Sequence, residues 1–204
     1  MRKNRYEKIL AVSAHLISNK GYEGVSLQEI ADKVGLHKSS LFHYVDNKEE
    51  LLVRIFEKVS NELFTNLKAI NLDASLEPEE KLKRAIDNHL SLMVKYSDDA
   101  NIFINQLRSL PKKKQAIFVE ERRRYEKDFE GILIEMKKKG YFGDLDIKIV
   151  RLGLFGMLNW VLRWFKRDGR LTMKKVSDIF YKLIVERGST PNFVMEGKKA
   201  HLKP

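Results

Sequence analysis

The chain has 204 residues, with 39 Lys and Arg against 28 Asp and Glu for a formal charge of +11, and it has no Cys. A length near 200 suits one or two modest domains with a packed core, and 43% hydrophobic residues with only 11 Gly and 4 Pro describe an ordered, helix-rich globular chain. The lack of Cys excludes disulfides, Cys-ligated zinc, iron–sulfur clusters and thiol nucleophiles, while the positive balance points to an anionic partner: nucleic acid, a membrane surface or a phosphate-bearing ligand.

The basic start at Arg2, Lys3, Arg5 and Lys8, followed by a modestly apolar stretch to Ile17, has the superficial make-up of a signal peptide. His15 and the helical continuation argue against it. The strongest apolar run, residues 152–162 between Arg151 and Arg163, is too short for a span of roughly 20 residues. The expectation is a cytoplasmic protein with no membrane association.

Nearly every segment repeats with a 3.6-residue period and none alternates, which predicts an all-α fold of about nine helices. A first helix over residues 5–19 carries Ile9, Val12 and Leu16 on one stripe and stops at Gly21. Ser26 with Glu29 forms a capping box, after which Leu27, Ile30, Ala31 and Val34 fall at i, i+3, i+4, i+7 until Gly35. A short helix over 37–45 follows, and Asn47 with Glu50 starts a fourth. Pro78 opens a fifth helix with Leu82, Ala85, Ile86, His89, Leu90 and Met93 along one face. A short apolar piece over 100–107 precedes Pro111, which opens a long helix reaching Gly140. The last two helices are expected over 144–166 and 172–187. The predicted division is a helix-turn-helix domain over 1–46, a ligand-binding and dimerisation domain over 47–188 joined through a connector helix over 47–67, and a loose tail over 189–204.

A short capped helix, a turn at Gly35 and a second short helix make a helix-turn-helix, whose second helix can lie in a DNA major groove. His37, Lys38 and Ser39 sit at the N-terminal end of that helix, where side chains reach base edges. Ser40, Tyr44 and Lys48 are placed for backbone contacts, and Lys48 also lies in the first turn of the fourth helix, where amides favour a phosphate. Ser26 has two candidate roles, cap and phosphate contact. Leu41 and Val45 read as core. His37 and His43, six apart, point to different helix faces and no carboxylate completes a metal site.

These residues come with their neighbours. Arg5-Tyr6-Glu7-Lys8-Ile9-Leu10, then Gly21-Tyr22-Glu23-Gly24-Val25-Ser26-Leu27-Gln28-Glu29-Ile30-Ala31, Val34-Gly35-Leu36-His37-Lys38-Ser39-Ser40-Leu41-Phe42-His43-Tyr44-Val45 and Asn47-Lys48-Glu49-Glu50-Leu51-Leu52 closely resemble the DNA-binding domain of the TetR family. The resemblance covers nearly all of the first 50 residues without a gap. It implies that Phe42 stands where the family commonly has Tyr, keeping apolar contact with a thymine methyl but losing a hydroxyl; that His43 occupies a frequent aromatic or His slot; and that Leu27 replaces a frequent polar residue. It also implies that the rest of the chain binds a ligand and dimerises.

Farther on, Gly153-Leu154-Phe155-Gly156-Met157-Leu158-Asn159-Trp160-Val161-Leu162-Arg163-Trp164-Phe165, followed by Gly169-Arg170-Leu171, is similar to the end of TetR-type repressors that sense acyl-CoA thioesters in fatty-acid or sterol-ring catabolism. Gly153, Gly156, Trp160 and Trp164 share one helix side, with Asn159 and Arg163 stacked at i, i+4 beside them. The glycines permit close backbone approach by a partner helix or a ligand. Trp160 and Trp164 offer stacking area to a ligand, or else belong to the core; Asn159 offers an amide; and Arg163 offers a fork suited to phosphate or to a buried partner, or else is a solvated cation. An apolar pocket draws on Met93, Phe103, Leu107, Tyr125, Phe129 and Ile132, each of which also reads as ordinary core. Leu154, Leu158, Ile179, Phe180 and Leu183 of the last two helices are the expected homodimer interface. The basic triplets at 112–114, 122–124 and 137–139 read largely as solvated surface, with Glu120–Arg124, Arg122–Glu126 and Glu135–Lys139 as i, i+4 pairs.

No phosphate-binding, dinucleotide, zincin or nucleophile-elbow motif is present, which argues against an enzyme. The expected function is a dimeric, ligand-released transcriptional repressor reading a palindromic operator, with no cofactor and with an acyl-CoA as effector; a cationic lipophilic drug is the alternative effector. Residues 1–50 carry 8 basic and 7 acidic groups, whereas residues 151–204 carry 12 and 4. DNA reading therefore rests on placement of a few cations and helix ends, and the excess charge lies mostly beyond the DNA-reading domain, where it could attract the phosphates of a CoA ester, although Lys198, Lys199 and Lys203 of the tail account for three of those charges.

Overall fold

The computed structural model describes residues 2–186, so the tail expected over 189–204 lies outside the described residues. Within them the chain forms nine α-helices and no strand: α1 (Arg2–Lys20), α2 (Leu27–Val34), α3 (Lys38–Leu41), α4 (Lys48–Leu72), α5 (Pro78–Lys95), α6 (Ser97–Asn105), α7 (Lys112–Lys138), α8 (Ile147–Trp164) and α9 (Met173–Val185), with a single 3₁₀ turn at Leu107–Ser109.

The helix ends follow from local chemistry. The Ser26 hydroxyl accepts from Glu29 N at 3.1 Å and the Asn47 side chain from Glu50 N at 2.8 Å, satisfying orphan amides of α2 and α4. The Glu50 carboxylate reaches back to Asp46 N rather than to the cap residue's own amide. Gly35 ends α2 at φ +76°, where a side chain would be strained. Two boundaries differ from the sequence expectation. The third helix is helical only over Lys38–Leu41, and residues 42–44 continue as turns. The fourth runs on to Leu72, five residues past the expected connector over 47–67, although Leu67 is its last buried residue.

Two hydrophobic cores are strung along α4. The first joins α1, α2 and α3 to the start of α4 through Ile9, Ile17, Ile30, Val34, Leu41, Val45, Leu52 and Phe56, and is closed by Ile102 of α6, Leu110 and Phe118 of α7. The second takes over at Val59 and is built from α4, α5, α7, α8 and α9. Phe103 packs against both, its ring 5.3 Å from that of Phe56. Polar ties reinforce the seam: His15 Nδ1 lies 3.0 Å from Asp98, Asn101 donates to Ser18, and Lys58 pairs with Asp99 at 3.0 Å. Of the charge pairs expected on α7, Glu120–Arg124 and Arg122–Glu126 form at 3.5 and 3.6 Å. Lys139 instead bridges Glu77 and Glu79 of the α5 start, while Glu135 approaches Lys81.

Candidate functional site

The recognition segment presents a compact outward face. Leu41 and Val45 are buried and pin α3 to the core, so His37, Lys38, Ser39, Phe42 and His43 are left exposed and Ser40 and Tyr44 half-buried. His37 is the N-cap residue of α3 and makes no side-chain cap bond. Ser26 remains exposed while capping α2.

Lys48 is placed differently from the other cations. Its ammonium donates to Tyr22 O at 2.9 Å and Val25 O at 3.0 Å and lies 4.1 Å above the Tyr22 ring, so it clamps the α1–α2 connection onto the start of α4. Two of its three donors are thereby committed inside the protein. This clamp is not legible in the sequence, since the carbonyls belong to residues 26 and 23 positions away.

A second site lies in the larger core. Leu63 and Phe64 of α4, His89 and Met93 of α5, Phe103 and Ile104 of α6, Arg122, Tyr125 and Glu126 of α7, and Phe155 and Asn159 of α8 line a pocket with about 580 Å³ of empty space, its open mouth included. The walls are mostly apolar with a few convergent polar groups, the usual make-up of a small-molecule site. Arg122 and Glu126 are one helical turn apart on α7, and Glu126 is also held by Arg151 at 2.6 Å.

His89 and Tyr125 form the polar centre. His89 Nδ1 lies 3.0 Å from the Tyr125 hydroxyl. Burial pulls the His89 pKa down to about 4, against a smaller upward pull from neighbouring Asn159, so the ring is neutral near pH 7. Burial likewise drives the Tyr125 phenol upward. The Asn159 side chain lies near enough to favour a proton on the ring, while no partner stands in hydrogen-bonding geometry at His89 Nε2.

Of the ligand-contacting residues expected from sequence, Phe103, Tyr125 and Asn159 line this pocket. Phe129 sits behind it, fully buried with its ring 5.1 Å from that of Phe155. Leu107 lies in the 3₁₀ turn against the first core. Trp160, Arg163 and Trp164 are on the outer side of α8, with Trp160 64% exposed. The reason is the helix period: Leu154, Leu158 and Val161 face the core, which turns Gly153, Gly156, Trp160 and Trp164 outward. Leu154 and Leu158 are completely buried within the single chain, so they are unavailable to a partner subunit, in contrast to the expectation. Ile179 and Leu183 of the expected set are exposed, as is Leu152.

Sequence reasoning missed His89 as a site residue, along with Leu63, Phe64, Ile104, Phe155, Arg122 and Glu126. The available signal was a His in the apolar stripe of α5. Arg122 and Glu126 were legible only as a surface ion pair. No helix among the described residues is long and apolar enough to cross a membrane.

Comparison with known proteins agrees with this layout. Residues 9–55 match the model for bacterial regulatory proteins of the tetR family, and residues 75–187 match a tetracyclin repressor-like C-terminal domain. The chain is 26% identical over 192 residues to the HTH-type transcriptional repressor KstR2 of Mycobacterium tuberculosis, covering 89% of this chain and 92% of that protein. It is 23% identical to the fatty acid metabolism regulator protein of Bacillus subtilis, over 90% and 95% of the two chains. Among solved structures, AibR in complex with isovaleryl coenzyme A and operator DNA superposes with a TM-score of 0.77 at 28% identity, covering 88% of this chain and 97% of that one. The chain belongs to the TetR family of bacterial regulatory proteins: it is a helix-turn-helix DNA-binding transcriptional regulator and not an enzyme.

Proposed function

We propose that the protein is a homodimeric repressor that reads a palindromic operator through the α3 face and is released by an acyl-CoA thioester held in the α4–α8 pocket. The observation that carries the reading is the pocket itself: mostly apolar walls, suited to an acyl chain, that also include Arg122 on a basic stretch of α7. The likeness to relatives named for fatty-acid metabolism and crystallised with an acyl-CoA supports the same choice. A cationic drug is less well matched, because the pocket's one carboxylate, Glu126, is already engaged by Arg151 and Arg122. The exposed apolar strip of α8 and α9, including Leu152, Trp160, Trp164, Ile179 and Leu183, supports dimerisation through the last two helices.

In this reading the Phe103 ring is the element through which the two sites are coupled. It lines the pocket and also packs on Phe56 of the DNA-reading core. A ligand that displaces Phe103 then favours a domain arrangement in which the two recognition helices no longer match their half-sites, and DNA must weaken ligand binding by the same factor. The test is fluorescence anisotropy on DNA upstream of the protein's own gene, titrated with acyl-CoAs, free CoA, free acids and cationic dyes. Release by acyl-CoA and not by the free acid is expected; failure of every CoA ester to release DNA refutes the effector assignment.

A further inference from the structure

The His89 ring lines the pocket yet is almost wholly enclosed, with only 3% of the residue exposed. Tyr125, its phenol kept protonated by burial, has a proton to donate, and the acceptor offered to it is His89 Nδ1 at 3.0 Å. A neutral imidazole carries a single N–H. With Nδ1 accepting, that proton resides on Nε2, the atom left without a partner. The nearby Asn159 side chain also favours a proton on the ring, yet it does not stand in hydrogen-bonding geometry to Nε2. The result is a fixed donor in apolar surroundings that include Met93, Phe103 and Phe155, where an unmet N–H is unfavourable and an incoming acceptor is favoured.

Resting on the acyl-CoA reading above, we propose that His89 Nε2–H is the recognition donor for the carbonyl oxygen of the bound thioester, so that the pocket selects acyl thioesters over alkyl thioethers and free carboxylates. A thioether presents no oxygen to the donor and leaves it unmet. A free carboxylate finds an uncharged ring, since burial keeps imidazole in its neutral form, and must give up its own hydration to meet it. A thioester carbonyl is a neutral acceptor and avoids both penalties.

The test is calorimetric titration of the full-length protein with an S-acyl-CoA and an S-alkyl-CoA of equal chain length. The wild type should bind the thioester about 10- to 100-fold more tightly. In His89→Leu the thioester should fall to the affinity of the thioether. His89→Gln, whose amide N–H extends towards the position of Nε2, should retain most of the discrimination; far-UV circular dichroism and thermal melting establish that each variant is folded. Tyr125→Phe, which frees the imidazole to change tautomer, should narrow the difference. Equal affinity of the wild type for tightly bound thioester and thioether overturns the donor role while leaving the acyl-CoA reading intact. Binding of neither compound overturns both. Undiminished discrimination in a folded His89→Leu variant overturns the assignment to His89.

Discussion

Arg151 of α8 donates to Glu126 of α7 at 2.6 Å, and its Nε also reaches Glu130 at 2.8 Å, so one guanidinium bridges two carboxylates a helical turn apart. Only 10% of the Arg151 side chain is exposed. Removing it leaves the two carboxylates to repel one another beside the pocket. Arg151→Ala should lower stability by about 2–3 kcal/mol, short of the value for a fully buried pair because both acids keep contact with water. Urea denaturation of the two proteins measures the difference; a change within experimental error would mean the bridge contributes nothing.

Lys38 and Lys48, ten residues apart, are expected to respond to substitution in different ways. Lys48→Met withdraws the donors from Tyr22 O and Val25 O and should cost about 1–3 kcal/mol of stability, as for charged hydrogen bonds to backbone carbonyls. Lys38→Ala, on the exposed face of α3, should leave the melting temperature in place and weaken operator binding. Ser26→Ala separates the two roles open to Ser26. Loss of the cap alone costs about 1 kcal/mol of stability, whereas loss of a phosphate contact also weakens operator binding about equally across sequences.

The outward tryptophans of α8 test the dimer. A side chain added at Gly153 or Gly156 meets no described atom within 4 Å, so within the protomer nothing requires glycine there. Gly156→Leu and Trp160→Glu should therefore leave the protomer folded and raise the dimer dissociation constant by at least tenfold, on the order of 1.4 kcal/mol. Sedimentation velocity across a micromolar dilution series reads the change. A wild type that is monomeric throughout would refute the dimer.

Stability should fall in acid partly through His89. Its folded pKa of about 4 lies below the ordinary value of 6.5, so above pH 6.5 the ring is neutral in both states and costs nothing. As the pH drops from 6.5 towards 4, the unfolded chain takes up a proton that the folded site, walled by Tyr125, Asn159, Phe129 and Phe155, refuses. The native state should lose about 3 kcal/mol over that window. Denaturation midpoints at pH 7.0 and 4.5 for wild type and His89→Gln should diverge in that direction; parallel curves would show that His89 does not titrate as described.

The helix ends were legible in the sequence because they are settled within four or five residues. Ser26, Asn47, Pro78 and the left-handed Gly35 act on backbone groups of their own helix, and the structure has them where spacing placed them. The exposed recognition face was legible for a similar reason: once Leu41 and Val45 are buried, the helix period leaves His37, Lys38 and Ser39 outside. The period also put Trp160 and Trp164 on one side of α8. Whether that side turned inward or outward depended on what α5 and α7 offered to the opposite one.

What the sequence determined by itself is therefore an all-helical chain with a helix-turn-helix at its start, since caps, stops and apolar periods are local properties. Tertiary structure alone decided the pocket. Five helices contribute its walls, and His89 and Tyr125 meet there across 36 positions of chain. It alone committed Lys48 to distant carbonyls and turned the tryptophans of α8 to the outside. Such choices follow from how helices pack side by side, and burial of a His among apolar groups acquires its chemical meaning only when its neighbours are in place.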